Sequence, residues 1–460
     1  MSPVAQGATL DNSLNVLQIH YGKRLHIQTN DRVNIWNMIP KHPDQHTGRF
    51  RQENLTTGYP ATGGAFGPGA SLPTAGNTSD ALTNIYHCYL YYPISVDWDA
   101  YHQSSGKASF VDVMTREMNR VKAYMFLDLE RMVLGNGSGL LSAISVVTVG
   151  ATSLTFEVPN EFSPRFIEGQ RIVFFALTSG EVTETSAVRG VPAGQYPYYT
   201  ISSSVEDGAT TTNFALITCT GSAPAGHGIA AGDGAFKYGA IQPYAISGTN
   251  HAGTELMGLK GICSQGAPPL RTATKATYPA VDTFQAIDPS SAGYWKTPTI
   301  NLSGAELDQT WFDKLGVRMI RQGSTPPEDV RMWVLNPVQE EIYKRNLYGG
   351  ERYPITSSPP SFPTGSADSM NEKRYLHYAG RPLVCSRFCD TTEIYGVGPD
   401  IYRYDCKPWG FHKPGFGSGG SIWHQDFDRR AADQAEAYAI MQFGTTARNR
   451  HARLTGAASS

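Results

Sequence analysis

Apolar residues recur at three- and four-residue steps through Phe110, Val113, Met114, Met118, Val121, Met125, Leu129 and Met132, and Gly135 stops the run. Ser109 with Asp112 three residues on has the form of a capping box, so the spacing predicts one amphipathic helix of about 26 residues, close to 40 Å long. Asp112 with Arg116, and Glu117 with Arg120, are spaced to pair on its wet side. The methionines of this stripe read as core packing rather than as a cofactor box. Ahead of the helix, alternation through Leu25, Ile27, Val33 and Ile35 predicts one strand, and Tyr86-His87-Cys88-Tyr89-Leu90-Tyr91-Tyr92 a second. Between them Gly58-Tyr59-Pro60 through Gly67-Pro68-Gly69 is too rich in glycine and proline for a regular element. The two strands then make a protruding hairpin, which fits a segment lying across another subunit better than a compact monomer. Residues 1–24 are polar and small, with one apolar cluster at Leu14-Asn15-Val16-Leu17-Gln18-Ile19, and read as an extended arm.

After the helix the period drops to two. Leu154, Phe156 and Val158, then Ile172 to Leu177, then Tyr199 and Ile201, then Phe214 and Leu216 are each bounded by turn formers, which predicts an inserted all-β block, a barrel or sandwich. Helical spacing returns at Leu307, Trp311, Leu315 and Met319, with Ser303 and Glu306 as the expected capping box. A short strand is expected at Met332-Trp333-Val334-Leu335. Asn336 then caps a second helix that carries Pro337 at its first position and runs towards Tyr348. Helix, strand, helix is an α+β lobe. Strands and turns are expected from Tyr375, including Tyr378 to Val384, and Ala435 to Phe443 fits either a helix or a strand.

Composition narrows the classes. At 460 residues the chain exceeds a single small core, and a net charge of -2 gives no bulk attraction to nucleic acid. The 47 glycines and 29 prolines punctuate it heavily, while 11% aromatics is too many for a disordered chain. The N-terminus has no basic segment followed by an apolar run, and no stretch nears the roughly 20 apolar residues a bilayer needs, so neither a signal peptide nor a membrane span is expected. The six cysteines are Cys88, Cys219, Cys263, Cys385, Cys389 and Cys406. Cys385 and Cys389, with Cys406 or His412, offer metal ligands, but reduced core cysteines are the plainer reading. His42, Asp44 and His46 fall in a polar loop and read as solvated. Gly415 to Gly420, preceded by Pro414, lacks the strand and helix of a phosphate loop. There is no P-loop, His-Glu-x-x-His, Gly-x-Ser-x-Gly or Cys-x-x-Cys, and no catalytic, cofactor-binding or metal residue is expected. Basic residues gather at Arg318 to Arg321 and in Arg448-Asn449-Arg450-His451-Ala452-Arg453, where the tail is a candidate for contact with DNA or for salt bridges between subunits.

The order of parts resembles the major capsid proteins of tailed bacteriophages with the Hong Kong 97 capsid fold. Phe110-Val111-Asp112-Val113-Met114-Thr115-Arg116-Glu117 through Leu134-Gly135-Asn136-Gly137 resembles the spine helix of that family, and Val334-Leu335-Asn336-Pro337 a strand-to-helix junction of its axial domain. The resemblance implies an α+β fold with an N-terminal arm (1–24), an extended loop (25–105), a peripheral domain with the spine helix (106–142), an inserted β-barrel-like domain (143–240), an axial domain (241–404) and a return to the peripheral domain with a C-terminal tail (405–460). It further implies a non-enzymatic virion subunit, assembled in the host cytoplasm into hexamers and pentamers of itself around double-stranded DNA held by weak non-specific contact. A separate scaffolding protein, a portal and a decoration or cement protein are the implied partners, with no cofactor and no membrane. Other readings are an encapsulin-like compartment shell, a carbohydrate-binding or tail-associated β protein using Tyr196, Tyr198 and Tyr199 as a stacking platform, and an unrecognised hydrolase.

Overall fold

The computed structural model describes residues 35–42, 50–58, 77–97, 113–150, 153–177, 188–189, 198–208, 213–220, 228–238, 241–243, 251–253, 255–264, 285, 287, 295–322, 326–348, 376–412, 424–425, 432–445 and 447–458. Among them the helices are α1 (Ile35–Met38), α2 (Val113–Leu134), α3 (Leu259–Ile262), α4 (Gln309–Arg321) and α5 (Pro337–Tyr348). The strands begin with β1 (Phe50–Gly58), β2 (Ser79–Asp97), β3 (Leu140–Ala143), β4 (Val146–Val149), β5 (Ser153–Pro159), β6 (Arg171–Phe175), β7 (Val188–Arg189), β8 (Tyr199–Val205), β9 (Phe214–Thr220) and β10 (Gly234–Lys237). They continue with β11 (Ile241–Pro243), β12 (His251–Gly253), β13 (Thr299–Asn301), β14 (Met332–Leu335), β15 (His377–Tyr378), β16 (Arg381–Cys385), β17 (Ile394–Val397), β18 (Ile401–His412), β19 (His424–Gln425), β20 (Ala432–Thr445) and β21 (Ala452–Thr455). The fold is α+β. The chain divides into two compact units, one of residues 1–49, 87–131 and 403–442, the other of 50–86, 132–402 and 443–460.

In the first unit, residues 87–97 of β2 pair antiparallel with 432–442 of β20, from His87 opposite Gln442 to Asp97 opposite Ala432. The stretch that fitted helix or strand is therefore a strand. Cys88, Leu90 and Tyr92 are buried while Tyr91 is 54% exposed, the two-residue period of a sheet with one covered face. Residues of α2 supply a cover: Tyr124 stands edge-on to Tyr92 at 5.7 Å, and the Tyr92 hydroxyl donates to Asp128 at 2.6 Å. Arg131, one turn on, donates to the same carboxylate at 2.9 Å and 3.1 Å, so the buried acid is doubly satisfied. Ile35 does not extend a strand as expected. It opens the short helix α1, where Ile35, Trp36 and Ile39 are buried together at helical spacing. Val33 and the earlier residues of that expected strand lie outside the described residues, as does the arm, and so do Ser109 to Asp112 at the start of the long helix.

In the second unit, β1 pairs antiparallel with residues 79–86 of β2, from Phe50 opposite Tyr86 to Gly58 opposite Ser79. The first strand of the hairpin is thus Phe50–Gly58 rather than one near Leu25 to Ile35. At its root Gln285 accepts from the Thr83 hydroxyl at 3.1 Å and from the Asn84 N–H at 2.9 Å.

The β-block of this unit is an eight-stranded sheet in the order β3-β10-β6-β8-β9-β5-β4, with β7 added to β6. Its two ends meet within one stretch of chain. Ile144 donates its N–H to Asp233 on the β10 side, and Ser145 donates to Glu157 on β5, each at 2.9 Å. Residues 140–149 therefore act as one bent strand that closes the sheet into a barrel. Leu141, Leu154, Phe156, Val158, Ile172, Phe174, Tyr199, Ile201, Ala215, Ile217 and Cys219 fill it. The phase of β9 corrects the expectation: Ala215, Ile217 and Cys219 point inward, while Phe214 and Leu216 are only partly buried. Phe156, Phe166, Phe174 and Tyr199 already crowd the interior with edge-to-face contacts of 5.3–5.8 Å, which leaves room opposite them for smaller side chains.

The remaining sheet runs β13-β21-β17-β14-β16-β15, with β13 parallel to β21 and β14 parallel to β16. Helices α4 and α5 pack on it around Phe312, whose ring lies 4.7 Å from Tyr378, 5.0 Å from Trp333 and 5.5 Å from Tyr343. Asp308, not Ser303, caps α4, accepting from the Trp311 N–H at 3.1 Å. Ser303 sits in a left-handed turn (φ 52°) ahead of Gly304 and donates its own N–H to Asn301. Asn336 caps α5 as expected, accepting from the Val338 N–H at 3.0 Å.

Candidate functional site

The hairpin of β1 and residues 79–86 is a ribbon with little core of its own. Gln52, Asn54, Thr56, Ser79 and Asp80 are exposed, and Leu82 is 57% exposed. The buried positions are at its root, Thr83 and Ile85, where Gln285 and Gly444 close on them. A two-stranded ribbon of this kind is marginal in water unless something covers it. A second exposed feature is the outward face of α4, where Asp313, Lys314, Val317, Ile320 and Arg321 follow one another at helical spacing.

The densest charge cluster joins the barrel to the lobe. Arg165, at the end of the 3-10 turn after β5, donates to the Leu141 carbonyl at 3.1 Å, to the Phe388 carbonyl at 2.9 Å and to the Asp390 carboxylate. Lys260 on α3 donates to the other Asp390 oxygen at 2.7 Å and lies 3.8 Å from Glu393. Arg453 on β21 donates to Glu393 at 2.5 Å, Tyr395 donates its hydroxyl to the same carboxylate, and Thr391 donates to Glu161 of the barrel side. Burial alone would raise the Asp390 carboxyl, but Arg165 and then Lys260 outweigh it and hold it well below the usual carboxylate range. For Lys260 the burial penalty is likewise overcome, by Asp390 and Glu393, and its ammonium is held more firmly than in water. This is a structural clamp: Asp390 and Glu393 are each held by two cations.

Two arginines of the basic C-terminal run, Arg448 and Arg453, are engaged within the subunit. Arg448 is fully buried and donates to the carbonyls of Ile262 at 2.8 Å, Gly261 at 3.2 Å and Trp295 at 3.3 Å, so it caps the end of α3. Burial lowers its guanidinium to about 10. Arg450 is exposed and pairs with Asp400 at 2.8 Å, and Arg453 belongs to the clamp. His451 is buried too. Its Nδ1 accepts from the Gly398 N–H at 2.9 Å, so the ring proton sits on Nε2, which faces the Thr445 hydroxyl at 2.8 Å. Burial and then Arg448 lower this imidazole to about 3.

Other candidates disperse. Cys88, Cys219, Cys263 and Cys389 are buried, with burial pushing Cys219 and Cys263 up to about 12, and Cys385 donates its thiol to Glu340 at 2.7 Å. Among the described residues no three His, Cys, Asp or Glu side chains converge as metal ligands, and no helix is long and apolar enough to cross a membrane. His42 donates its backbone N–H to Arg403 at 2.9 Å, whereas Asp44, His46 and the Gly415 to Gly420 loop lie outside the described residues. The tyrosine platform is not assembled: Tyr199 is buried in the barrel, Tyr198 packs on Tyr238 at 5.1 Å beneath Arg171, and Tyr196 is outside the described residues. The clamp was not anticipated from sequence, since its bonded partners are up to 230 residues apart.

No family model matches the sequence, and no curated protein is similar to it. Solved structures similar in fold include the capsid asymmetric unit of cyanophage A-1(L), with a TM-score of 0.49 and 10% identity over 97% of this chain and 99% of that one. The capsid of a native GTA particle has a TM-score of 0.44 and 7% identity over 98% and 100%. The encapsulin complex of Synechococcus elongatus has 0.42 and 8% over 96% and 95%. At such identities and scores, none of the three carries a residue's role over to this chain.

Proposed function

We propose that this chain is a major capsid subunit, a non-enzymatic shell protein that assembles with copies of itself around phage double-stranded DNA. The observation that carries the reading is the polar ribbon of β1 and residues 79–86, which exposes Leu82 and lacks a core. A free monomer gains little by ordering such a ribbon, whereas a subunit that lays it on a neighbour buries it and obtains the contact area that a stable interface needs. The charge distribution supports the same role. A net charge of -2 lets many copies approach one another, and the arginines of the C-terminal run are engaged inside the subunit, so DNA contact is weak and non-specific. Hexamers and pentamers, a separate scaffolding protein, a portal and a decoration protein are the partners of this reading, and the virion, after assembly in the host cytoplasm, its location. The domain limits proposed from sequence, with the β block at 143–240 and the axial domain at 241–404, belong to it as well. Deleting Gly58 to Asn77 tests it: the chain should remain soluble and yield no stable shells by electron microscopy. Normal shells from the deletion would refute the role given to the hairpin.

A further inference from the structure

We propose that β4 is a contact strand between two copies of this chain, joined edge to edge and antiparallel about a twofold axis through Thr148. The strand ends the barrel sheet at one side, and among the described residues nothing pairs with its outer edge. Its orientation follows from the hydrogen bonds it makes inward. Gly150 donates its N–H to Ser153 at 2.8 Å, and the Thr148 carbonyl accepts from the Thr155 hydroxyl of β5 at 3.2 Å. Because antiparallel ladders alternate, Thr148 turns its backbone groups to β5, and Val147 and Val149 turn theirs outward. The outer edge thus offers two N–H groups and two carbonyls.

Edges of soluble proteins are ordinarily guarded by charge, proline or a covering segment. Val146-Val147-Thr148-Val149 has neither charge nor proline, and Val146 and Val149 are 40% and 38% exposed. A second copy is the occupant that this edge fits, because the edge is complementary to itself. Setting Thr148 opposite Thr148 of the other copy places Val147 opposite Val149, and the outward N–H and carbonyl groups of those two residues then satisfy one another on both sides of the axis. A one-residue slip would set outward groups against inward ones, and a two-residue slip would pair only one valine of each β4 strand instead of two, so this register makes the most bonds. Four residues make too short a pairing to hold free subunits together. The contact therefore belongs where other interfaces keep copies side by side, and to that extent it rests on the shell reading.

The central Thr148 pair is of the kind without mutual hydrogen bonds, with Cα atoms about 4.5 Å apart, inside the range a disulfide spans. Particles of the full chain carrying Thr148→Cys, oxidised and run without reductant, should give mostly a dimer band that reduction abolishes. Particles of the parent, and of Val149→Cys, whose two copies would stand out of register, should stay monomeric on the same gel. Absence of the Thr148→Cys dimer, or equal crosslinking of Val149→Cys, would overturn the proposal. If the parent forms no particles, the shell reading fails and the pairing, which depends on it, falls with it; particles that form normally but give no Thr148→Cys dimer overturn the pairing alone.

Discussion

Replacing Asp390 by alanine should loosen the barrel from the lobe. Asp390 is the acid that Arg165 and Lys260 share, and its side chain is 13% exposed. Removing it leaves the Arg165 guanidinium held by two backbone carbonyls without a counter-charge, and leaves Lys260 with Glu393 at 3.8 Å, an acid already bonded to Arg453 and Tyr395. Breaking a buried pair by deleting one partner typically costs about 3–5 kcal/mol, because the orphaned charge stays buried. Denaturant unfolding of the unassembled chain should show a loss of that order, and amide exchange should speed up in residues 153–177. In the double variant Arg165→Met/Asp390→Ala part of the loss should return, since the Arg165 guanidinium is no longer stranded and the remaining cation, Lys260, still has Glu393 at 3.8 Å. The pH dependence has a defined sign. The folded carboxyl is depressed, so its contribution is complete above the unfolded value of about 3.9 and is lost as pH falls below it. A loss under about 1 kcal/mol for Asp390→Ala, with additive double-variant effects, would refute the clamp.

Further outcomes follow from other buried groups. His451 titrates near 3 when folded against 6.5 in the free side chain, so stability from the neutral ring is present above pH 6.5 and falls by about 1.4 kcal/mol per pH unit below it; His451→Gln should flatten that slope in denaturant titrations between pH 7 and 5. A Cβ on Gly258 would collide with the Met132 and Val133 carbonyls at the end of α2, so Gly258→Ala should cost a few kcal/mol, on the order of 1–3, by thermal unfolding. Phe312→Ala removes the ring on which Trp333, Tyr343 and Tyr378 converge and should cost about 3–5 kcal/mol by the same measurement.

What sequence made legible was whatever repeats locally. The helix through Met132 and its stop before Gly135 match α2 as far as it is described, and Asn336-Pro337 marks the start of α5. The strand Phe50–Gly58 was missed because its half-covered face carries Arg51, Glu53 and Thr57 beside the single apolar Leu55, so Arg-Gln-Glu-Asn-Leu-Thr-Thr reads as loop. The α4 cap was placed at Ser303 because the capping-box spacing is satisfied there too. Only the left-handed turn at Ser303-Gly304 shifts the start to Asp308. In β9 the large residues suggested the wrong inward face, since a barrel already crowded with phenylalanines selects the smaller alternates. Arg448 and the clamp were illegible for another reason. Their partners lie 60 to 230 residues away, so a run of arginines looked like a surface patch while the fold buries Arg448 and engages Arg453 in the clamp.

Assembly into shells is tested by electron microscopy of the purified chain beside size-exclusion chromatography, with the chain expressed alone and with a scaffolding protein. Closed shells, or rings of five or six subunits, are the predicted result. A chain that stays strictly monomeric in both preparations would contradict it.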